Sequence, residues 1–478
     1  MGANRGRYGK GLVTLGFVLV SFAVPLPLRA QFNNGAAGAA TTVQLPTFGV
    51  SIDAEGVLDV KTFSDPGGRL RAERLLAVKA DMPEDLRKFT KLRKISLRKL
   101  EAAIAERLKA GKPLEAELRY LAGLQRVQFA FCYEASGDEP GDVVLAGPAE
   151  GWLADPSGRI VGVTTKRPVI LLDDLAVALR AFDPGKKDRP FLGCTIDPTQ
   201  EGLARFMEFQ KTVPRSIPDA AREEATVRLA SGSQEALGMA QIRTFAVSPR
   251  THFAQILIEA DYRMKRIAIG LEPPPVKMMT FLAALDSPRE ATLQRWWFTP
   301  DYDCVRASDD RLAMELVGQG VKLQTEDIRL SPDGKMTAVA DKPGKASRLY
   351  CESFTKKYDE ISAASPVYAQ LRCMIDLSIA AAFLRKHDFY TKSGWSGELL
   401  RDEKSLPCET LPAPKQVPCG VNALWKGNRL LVPAGGGVSI VPDDALEEQR
   451  LLPDKNGAVG LMRGEVGGDR EGKRWWWD

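Results

Sequence analysis

The stretch from Thr251 to Lys277, THFAQILIEADYRMKRIAIGLEPPPVK, constrains the fold most, because it predicts a long amphipathic helix with a definite end. Thr251 is placed to cap the first turn with its hydroxyl. At about 100° per residue, the apolar side chains fall on one face. That face consists of Phe253, Ile256, Leu257, Ala260, Met264 and Ile267. The three prolines at 273–275 cannot continue a helix, so it must end by about Leu271. We expect the two halves of the chain to pack on this helix.

The opposite face of the same helix carries the polar side chains His252, Gln255, Glu259, Arg263 and Arg266. Glu259 and Arg263 are four residues apart with the acid first, which is the favourable order for a helical ion pair. His252 and Glu259 lie two turns apart, a spacing that suits an acid/base pair or half of a metal site. Surface ion pairs are common and a metal site needs more ligands, so the pattern favours a solvated face with a surface salt bridge.

The order of strand-like and helix-like segments predicts a mixed fold. Residues 127–165 alternate like an antiparallel meander, and residues 173–211 alternate between helix and strand patterns. Residues 347–387 read as two helices joined at Ser365-Pro366, which suits an αα-hairpin. We therefore predict an α+β or mixed α/β fold in several layers, with antiparallel sheets and packed helices. The length of 478 residues suggests two to three subdomains.

Composition shifts and proline-rich stretches divide the chain. We predict a signal peptide (1–30), a flexible linker (31–47), an N-terminal α/β domain (48–250), a central helix with a strand meander and an αα-hairpin (251–410), and a C-terminal β-hairpin region with a tail (411–478).

The first thirty residues predict export. A basic start is followed by an apolar run that two prolines interrupt, and cleavage is expected after Ala30. Residues 1–30 hold four of the 66 Lys and Arg residues and none of the 61 Asp and Glu residues, so removing them lowers the formal charge from +5 to +1. This near-neutral mature chain gives no indication of nucleic-acid binding. No transmembrane span is expected in the mature chain, and the expected location is the periplasm, the cell envelope or outside the cell.

Export permits disulfide bonds, but seven cysteines in 478 residues are too few for a disulfide-built scaffold. Cys408 and Cys419 are the candidate pair, because they flank a proline-rich loop that a bridge would restrict. Cys132, Cys194 and Cys304 lie in apolar strand-like contexts and are expected as buried thiols.

No motif predicts a cofactor or a metal ion, and no catalytic residue can be assigned. The candidate polar cluster is His252, Glu259, Asp301 and Asp303. Turn formation explains the two aspartates better than a cation site does, because the spacing of a calcium loop is missing. Trp296 and Trp297 must point to opposite faces of a strand, so one is expected in the core and the other on the surface, as a candidate sugar-stacking platform.

Two further segments are candidate contact surfaces. Residues 86–100 contain seven basic residues and no acid, which suits an anionic polymer or lipid surface, although neighbouring acids favour a solvated face. The segment RWWWD at 474–478 either docks on the body or serves as an interaction tag, and the sequence does not separate these alternatives.

The sequence resembles an uncharacterised family of exported bacterial proteins, classed as a domain of unknown function. The resemblance extends over residues 48–478 and is carried by the segments SIDAEGVLDV, VVLAGPAEGWLADPSGRIVGVTT, THFAQILIEADYRMKRIAIGLEPPPVK, WKGNRLLVPAGGGVSI and RWWWD. It implies a secreted protein and assigns no activity, cofactor, partner or catalytic residue.

The favoured function is therefore that of a non-enzymatic structural or interaction component of the cell envelope, with an envelope protein or an anionic polymer as partner. The alternative is an envelope hydrolase that acts on a glycan or peptide through carboxylates such as Glu259, Asp301 or Asp303. The oligomeric state does not follow from the sequence.

Overall fold

The largest sheet of the protein runs through its centre. The computed structural model describes residues 47–186, 191–214, 217–286, 293–339, 343–424, 429–468 and 477–478. In these residues the strands of the large sheet follow the order β14-β13-β10-β17-β8-β9-β15, with β16 paired to one end of β17. Their bounds are β8 (Leu192–Pro198), β9 (Met239–Phe245), β10 (Leu293–Pro300), β13 (Val321–Leu330), β14 (Met336–Ala338), β15 (Gln416–Pro418), β16 (Asn422–Leu424) and β17 (Arg429–Ile440). The pairing of β10 with β17 is parallel, and the other pairings are antiparallel.

A smaller antiparallel sheet has the order β11-β12-β4-β5-β3, which leaves β3 as an outer strand. Two hairpins, β1-β2 and β6-β7, stand apart from both sheets. Their strands are β1 (Thr47–Ile52), β2 (Leu58–Phe63), β3 (Thr90–Ser96), β4 (Phe129–Tyr133), β5 (Asp142–Ala149), β6 (Trp152–Ala154), β7 (Ile160–Gly162), β11 (Val305–Ala307) and β12 (Ala313–Leu316).

The helices cover both sheets. They are α1 (Arg69–Asp81), α2 (Glu84–Arg87), α3 (Leu97–Lys109), α4 (Ala116–Arg119), α5 (Leu172–Ala181), α6 (Gln200–Thr212), α7 (Arg222–Leu237), α8 (His252–Ala268), α9 (Phe281–Ala284), α10 (Lys345–Lys356), α11 (Tyr358–Ala364), α12 (Pro366–Lys386), α13 (Phe389–Ser393), α14 (Glu398–Arg401), α15 (Pro442–Ala445) and α16 (Ala458–Gly468). Several begin with a Ser or Thr hydroxyl that accepts the amide three residues on: Ser96 caps α3, Thr199 caps α6 and Thr251 caps α8, the last as the sequence predicts.

The predicted central helix is α8, and it is enclosed on two sides. It packs against β8 and β17 of the large sheet on one side and against α5 and α12 on the other. Helix α12 is long and apolar enough to span a membrane by composition, but 89% of its most apolar window is buried inside the protein. Helices α10 and α11 pack against α12 as the predicted αα-hairpin. The predicted mixed fold with antiparallel sheets and packed helices is confirmed.

The predicted domain ranges can be compared with the strand order of the large sheet. Strands from the ranges 48–250, 251–410 and 411–478 all enter the large sheet, and residues 46–478 form one compact unit. These ranges are therefore stretches of sequence within a shared core. The signal peptide, the linker up to residue 46 and the turn predicted at Gly427-Asn428 lie outside the described residues.

Glycines allow β17 to pass between β10 and β8. Gly436 has φ +140°, and a Cβ atom there would lie 1.7 Å from the backbone oxygen of Trp296. A Cβ atom at Gly437 would lie 1.8 Å from the backbone oxygen of Cys194 on the other side. Gly436 and Gly437 thus lie within a strand that is paired on both sides.

We expect Gly436→Ala to destabilise the protein by about 3 kcal/mol or more, because the new methyl group meets backbone atoms that cannot turn away. Chemical denaturation followed by tryptophan fluorescence measures the change. The matched control is Gly464→Ala on the exposed side of α16, where an added Cβ atom meets nothing within 4 Å. That variant should gain up to about 1 kcal/mol through helix propensity. Equal midpoints for the two variants would contradict the close strand approach.

Candidate functional site: the ion network of the central helix

Helix α8 carries charged side chains on two opposite faces. His252, Glu259 and Arg263 fall within about 40° of one another around the helix axis, whereas Asp261 and Lys265 fall about 180° away. Glu259, Asp261, Arg263 and Lys265 are all buried, with exposed fractions between 0% and 4%. The predicted solvated face with a surface salt bridge is therefore wrong. Burying four charges is costly unless each has a partner, so their partners define the candidate site.

Glu259 lies between two guanidinium groups. One of its carboxylate oxygens accepts a bond from Arg159, in the turn between β6 and β7, and the other accepts from Arg263 at 3.2 Å. Arg263 also donates twice to Glu272, at 2.9 and 2.8 Å from Oε1. Its guanidinium lies 5.0 Å from the ring centre of Phe48 on β1. This group of charges thus ties α8 to the hairpins β1-β2 and β6-β7 and to the segment that follows α8.

His252 continues the same network at the start of α8. Its Nδ1 lies 2.9 and 3.0 Å from the two carboxylate oxygens of Asp174 on α5. Its Nε2 lies 3.3 Å from Nε2 of Gln370 on α12. Gln370 accepts a bond at 2.9 Å from Nε of Arg159, which orients the amide so that its NH₂ group faces the imidazole. An unbroken chain of polar contacts therefore runs from Asp174 to Glu272.

Burial and charge act in opposite directions on the groups of this network. Burial of His252 disfavours its charged form, but the charge and hydrogen bond of Asp174 outweigh burial and raise the pKa of His252. Burial likewise opposes the charge on Arg263, and the carboxylates of Glu272 and Glu259 raise its pKa above the ordinary range. Burial raises the pKa of Glu272 in spite of Arg263. Arg263 stays charged, which the two neighbouring carboxylates require.

Asp261 and Lys265 form a second buried pair on the face toward the large sheet. Lys265 donates to Asp261 at 2.7 Å and to the backbone oxygen of Ile196 on β8 at 3.0 Å. Burial raises the pKa of Asp261 to about 6 although Lys265 lowers it. The carboxylate Oδ1 of Asp261 is buried and has no hydrogen-bond partner among the residues that the structure describes. Lys265 also lines a narrow apolar pocket beside Cys419 and Tyr262, whose internal space of about 30 Å³ fits one water molecule.

The predicted polar cluster is brought together only in part. Arg159 and Gln370 connect His252 to Glu259. Asp301 instead pairs with Lys322 at 2.7 Å, and Asp303 pairs with Arg450 at 3.5 Å, at the ends of strands β10 and β13 and after α15. The four residues therefore do not converge on one pocket, because Asp301 and Asp303 belong to turns of a different region.

The two neighbouring tryptophans point to opposite faces, as expected. Trp296 is fully buried and packs edge-to-face on Phe281 and Tyr350, with ring centres 5.1 and 5.9 Å apart. It cannot serve as a stacking platform. Trp297 is half-buried on the opposite side of β10, so it alone keeps the role of a candidate surface contact.

All seven cysteines are free thiols, so the candidate disulfide between Cys408 and Cys419 is absent from this structure. Cys408 contacts Arg180 at 3.0 Å, whereas Cys419 lines the pocket beside Lys265, and each thiol is thus held in its own surroundings. Cys132, Cys194 and Cys304 are buried, as predicted. Burial raises the pKa of each of these three thiols, to about 12 for Cys132 and Cys304, which disfavours the reactive thiolate.

Within the described ranges, no group of three or more His, Cys, Asp or Glu side chains is arranged to hold a metal ion. Nor do the residues of the α8 network form a cradle of free donors for a cofactor, since the oxygens of Glu259 are engaged by Arg159 and Arg263. The described side chains of this arrangement can hold charge and protons inside the protein.

The basic run at 86–100 is divided between the core and the surface. Arg93 is 1% exposed, and Arg98 donates to the backbone oxygens of Gly141 and Ser393, whereas Lys88 and Lys91 are exposed. Its other basic residues, Arg87, Lys94 and Lys99, are partly exposed. At the other end of the sequence, Trp477 is 6% exposed and contacts β3, so the docked alternative holds for the described residues of RWWWD.

Several residues of the site were not singled out by the sequence. Asp174, Arg159 and Gln370 come from separate parts of the chain, and no local spacing connects them to α8. Glu272 is only nine residues beyond Arg263, but it lies past the end of the helix, where helical spacing does not apply. Asp261 and Lys265 did carry a signal, because they repeat the acid-first spacing of four residues within an otherwise apolar stretch. Two such pairs on opposite sides of one helix cannot both face solvent if one side is the core.

We expect Glu259→Gln to destabilise the protein by about 3–5 kcal/mol, because it leaves buried Arg263 and Arg159 short of a counter-ion. The matched control is Glu208→Gln, whose partner Lys211 is 62% exposed at the same kind of helical spacing. That change should cost no more than about 1 kcal/mol. Urea denaturation of both variants gives the comparison, and similar losses for the two would contradict the buried network.

The two histidines should contribute to stability with opposite pH dependence. The pKa of His252 is raised, so its contribution is complete below the unfolded value of 6.5 and is lost as the pH rises through the folded value. Burial and nearby cations lower the pKa of His387 to about 4, so its contribution is present above 6.5 and is lost as the pH falls toward 4. The unfolding free energies of the unchanged protein, His252→Gln and His387→Gln are measured across this pH range. The stability advantage of the unchanged protein over His252→Gln should shrink as the pH rises, whereas its advantage over His387→Gln should shrink as the pH falls. Parallel curves would refute the assignment.

The comparisons with known proteins bear on the middle of the chain. Residues 194–281 match the model of a family described as "Protein of unknown function (DUF1598)". No curated protein and no solved structure matches the chain. The matched stretch runs from β8 to the start of α9, and it holds both charged faces of α8 but not Asp174, Arg159 or Gln370. The resemblance to an uncharacterised family is thereby confirmed over residues 194–281, which carry a DUF1598 domain of unknown function.

Proposed function

We propose that this protein is exported and acts as a non-catalytic, interaction-mediating component of the cell envelope. The observation that carries the proposal is the state of the acid/base candidates. Glu259 is buried between two guanidinium groups. In another region, Asp301 pairs with Lys322 and Asp303 pairs with Arg450. A glycosidase needs two carboxyl groups that face one sugar ring across a short gap. These three carboxylates offer no such pair.

His252 is the best remaining candidate for proton transfer, and both of its ring nitrogens are engaged. Asp174 holds Nδ1, and Gln370 occupies the position beside Nε2 where a catalytic base would meet its nucleophile or substrate. The raised pKa of His252 follows from the pairing with Asp174. Structural ion networks perturb pKa values as active sites do, so this shift supports a stabilising role equally well.

A surface suited to a polar partner lies at the edge of the large sheet. A groove of about 840 Å³ lies along β13 and α10, which the bond from the backbone N–H of Leu323 to the hydroxyl of Thr355 joins. It is lined by amide side chains and by charged side chains of both signs. They include Lys322, Gln324, Arg348, Glu352 and Lys356. Among the described residues, Thr325 has a buried hydroxyl oxygen in this groove without a hydrogen-bond partner. Binding sites for small molecules are usually enclosed and mainly apolar, so the open polar groove favours a macromolecular partner.

Export is tested with a reporter protein fused behind residues 1–60. The fusion should appear outside the cytoplasm and shortened at Ala30, because residues 1–30 have the basic and apolar regions of a leader. The matched control is a fusion that begins at residue 31, which should stay in the cytoplasm. An unprocessed cytoplasmic fusion would refute the export part of the proposal.

Catalysis is tested separately with the purified protein that begins at residue 31. We expect no release of sugar reducing ends or of peptide amines from cell-wall material above the level of the buffer. If hydrolysis does occur, the variants His252→Gln and Asp303→Asn identify its site, since neither residue is part of the ion pairs of Glu259 and Arg263. Activity lost in either variant would replace the present proposal with the hydrolase alternative.

A further inference from the structure

Residues 477 and 478 pair with the outer strand of the smaller sheet. Trp477 makes an antiparallel bridge with Ile95 on β3, which is an outer strand of that sheet. The backbone N–H of Asp478 donates to the backbone oxygen of Lys94 at 2.9 Å. The N–H of Lys94 donates in turn to a carboxylate oxygen of Asp478 at 3.0 Å. This single bridge uses the backbone pairing by which a peptide adds to a sheet edge, with a side-chain carboxylate taking the place of one backbone acceptor.

Arg93 recognises both side chains of this segment. Its Nε lies 3.1 Å from the second carboxylate oxygen of Asp478. Its guanidinium lies 4.7 Å from the ring centre of Trp477, in the geometry of a cation–π contact. Arg93 is 1% exposed and Trp477 is 6% exposed, so both contacts are shielded from water. The attraction between opposite charges is stronger where water is excluded.

The rest of the protein holds Arg93 in place without help from residues 477–478. Its Nη1 donates to the backbone oxygen of Ala122 at 2.9 Å, and its Nη2 donates to that of Asp85 at 3.0 Å. These two acceptors fix the plane of the guanidinium, so that Nε faces the edge of β3. A site whose recognising group is already oriented loses little entropy when a ligand arrives.

We propose that the edge of β3, together with Arg93, is a peptide-binding site for an aromatic–Asp segment. The segment Trp477–Asp478 is its tethered occupant, and a separate peptide of the same sequence can take its place. Backbone pairing with Lys94 and Ile95 supplies sequence-independent affinity. Arg93 supplies the selectivity, because the neighbouring aromatic ring and carboxylate both contact its guanidinium. The inference rests on β3 alone and is independent of export and of the absence of catalysis.

The test is peptide binding to a protein whose own segment has been removed. The probe is a fluorescent peptide Arg-Trp-Trp-Trp-Asp with an amidated carboxyl end. Its Asp then carries only the side-chain carboxylate, so that replacing Asp by Asn tests this group alone. A variant that ends at residue 468 should bind it with one-to-one stoichiometry in fluorescence anisotropy. Peptides with Asn in place of Asp, or with Ala in place of the last Trp, should bind about tenfold or more weakly. The full chain should also bind the probe at least about tenfold more weakly, because its tethered segment competes at a high effective concentration.

A second variant keeps the chain at full length if the shortened protein fails to fold. Trp477→Ala combined with Asp478→Asn empties the site while leaving the rest of the sequence unchanged, and it should bind the probe as the shortened chain does. Equal binding of the Asp and Asn peptides to either variant would overturn the proposal, as would the absence of binding to both. Equal binding of the probe to the full chain and to the emptied variant would place the peptide elsewhere and would also overturn it.

Discussion

The buried ion pairs of Glu259 and Arg263 impose the main constraint on this structure. A charge inside a protein must be matched by a partner in good geometry, and the partners here come from β1, the turn after β6, the segment that follows α8, and α12. Each partner belongs to a separate stretch of chain. Helix α8 can therefore be placed correctly only when all of these stretches are in place, which makes the network a check on the assembly of the whole core.

A second constraint lies on the opposite side of α8. Lys265 reaches the backbone of β8, and the glycines of β17 allow this strand to run tightly between β8 and β10. Trp296 on β10 then fills the space between the sheet and the helices α9 and α10. The bond from Lys265 to the backbone oxygen of Ile196 thus joins α8 to the large sheet, and close backbone packing holds β17 between its two neighbouring strands.

These constraints have a consequence for function. Glu259 and Arg263 pair inside the core, whereas Asp303 pairs with Arg450 near the surface. Our proposals place recognition at the edges of the sheets. The groove beside β13 and the edge of β3 are two such places, and the second already carries a strand from the same chain. A rigid body with exposed strand edges is well suited to binding extended segments of polypeptide, since backbone hydrogen bonds supply affinity there and a few side chains supply selectivity.

Local pattern was sufficient for much of the secondary structure. The cap at Thr251, the end of α8 before the prolines, the αα-hairpin and the burial of Cys132, Cys194 and Cys304 follow from periodicity and from residue chemistry, and these depend on neighbours in the chain. The surroundings of the charged residues on α8 did not follow. A charged side chain that faces solvent and one that faces a distant counter-ion produce the same pattern along a helix. Only the tertiary structure brings Arg159 and Glu272 against α8, separates Asp301 and Asp303 from His252, and seats Trp477 beside Arg93, because these contacts join residues that sequence spacing does not relate.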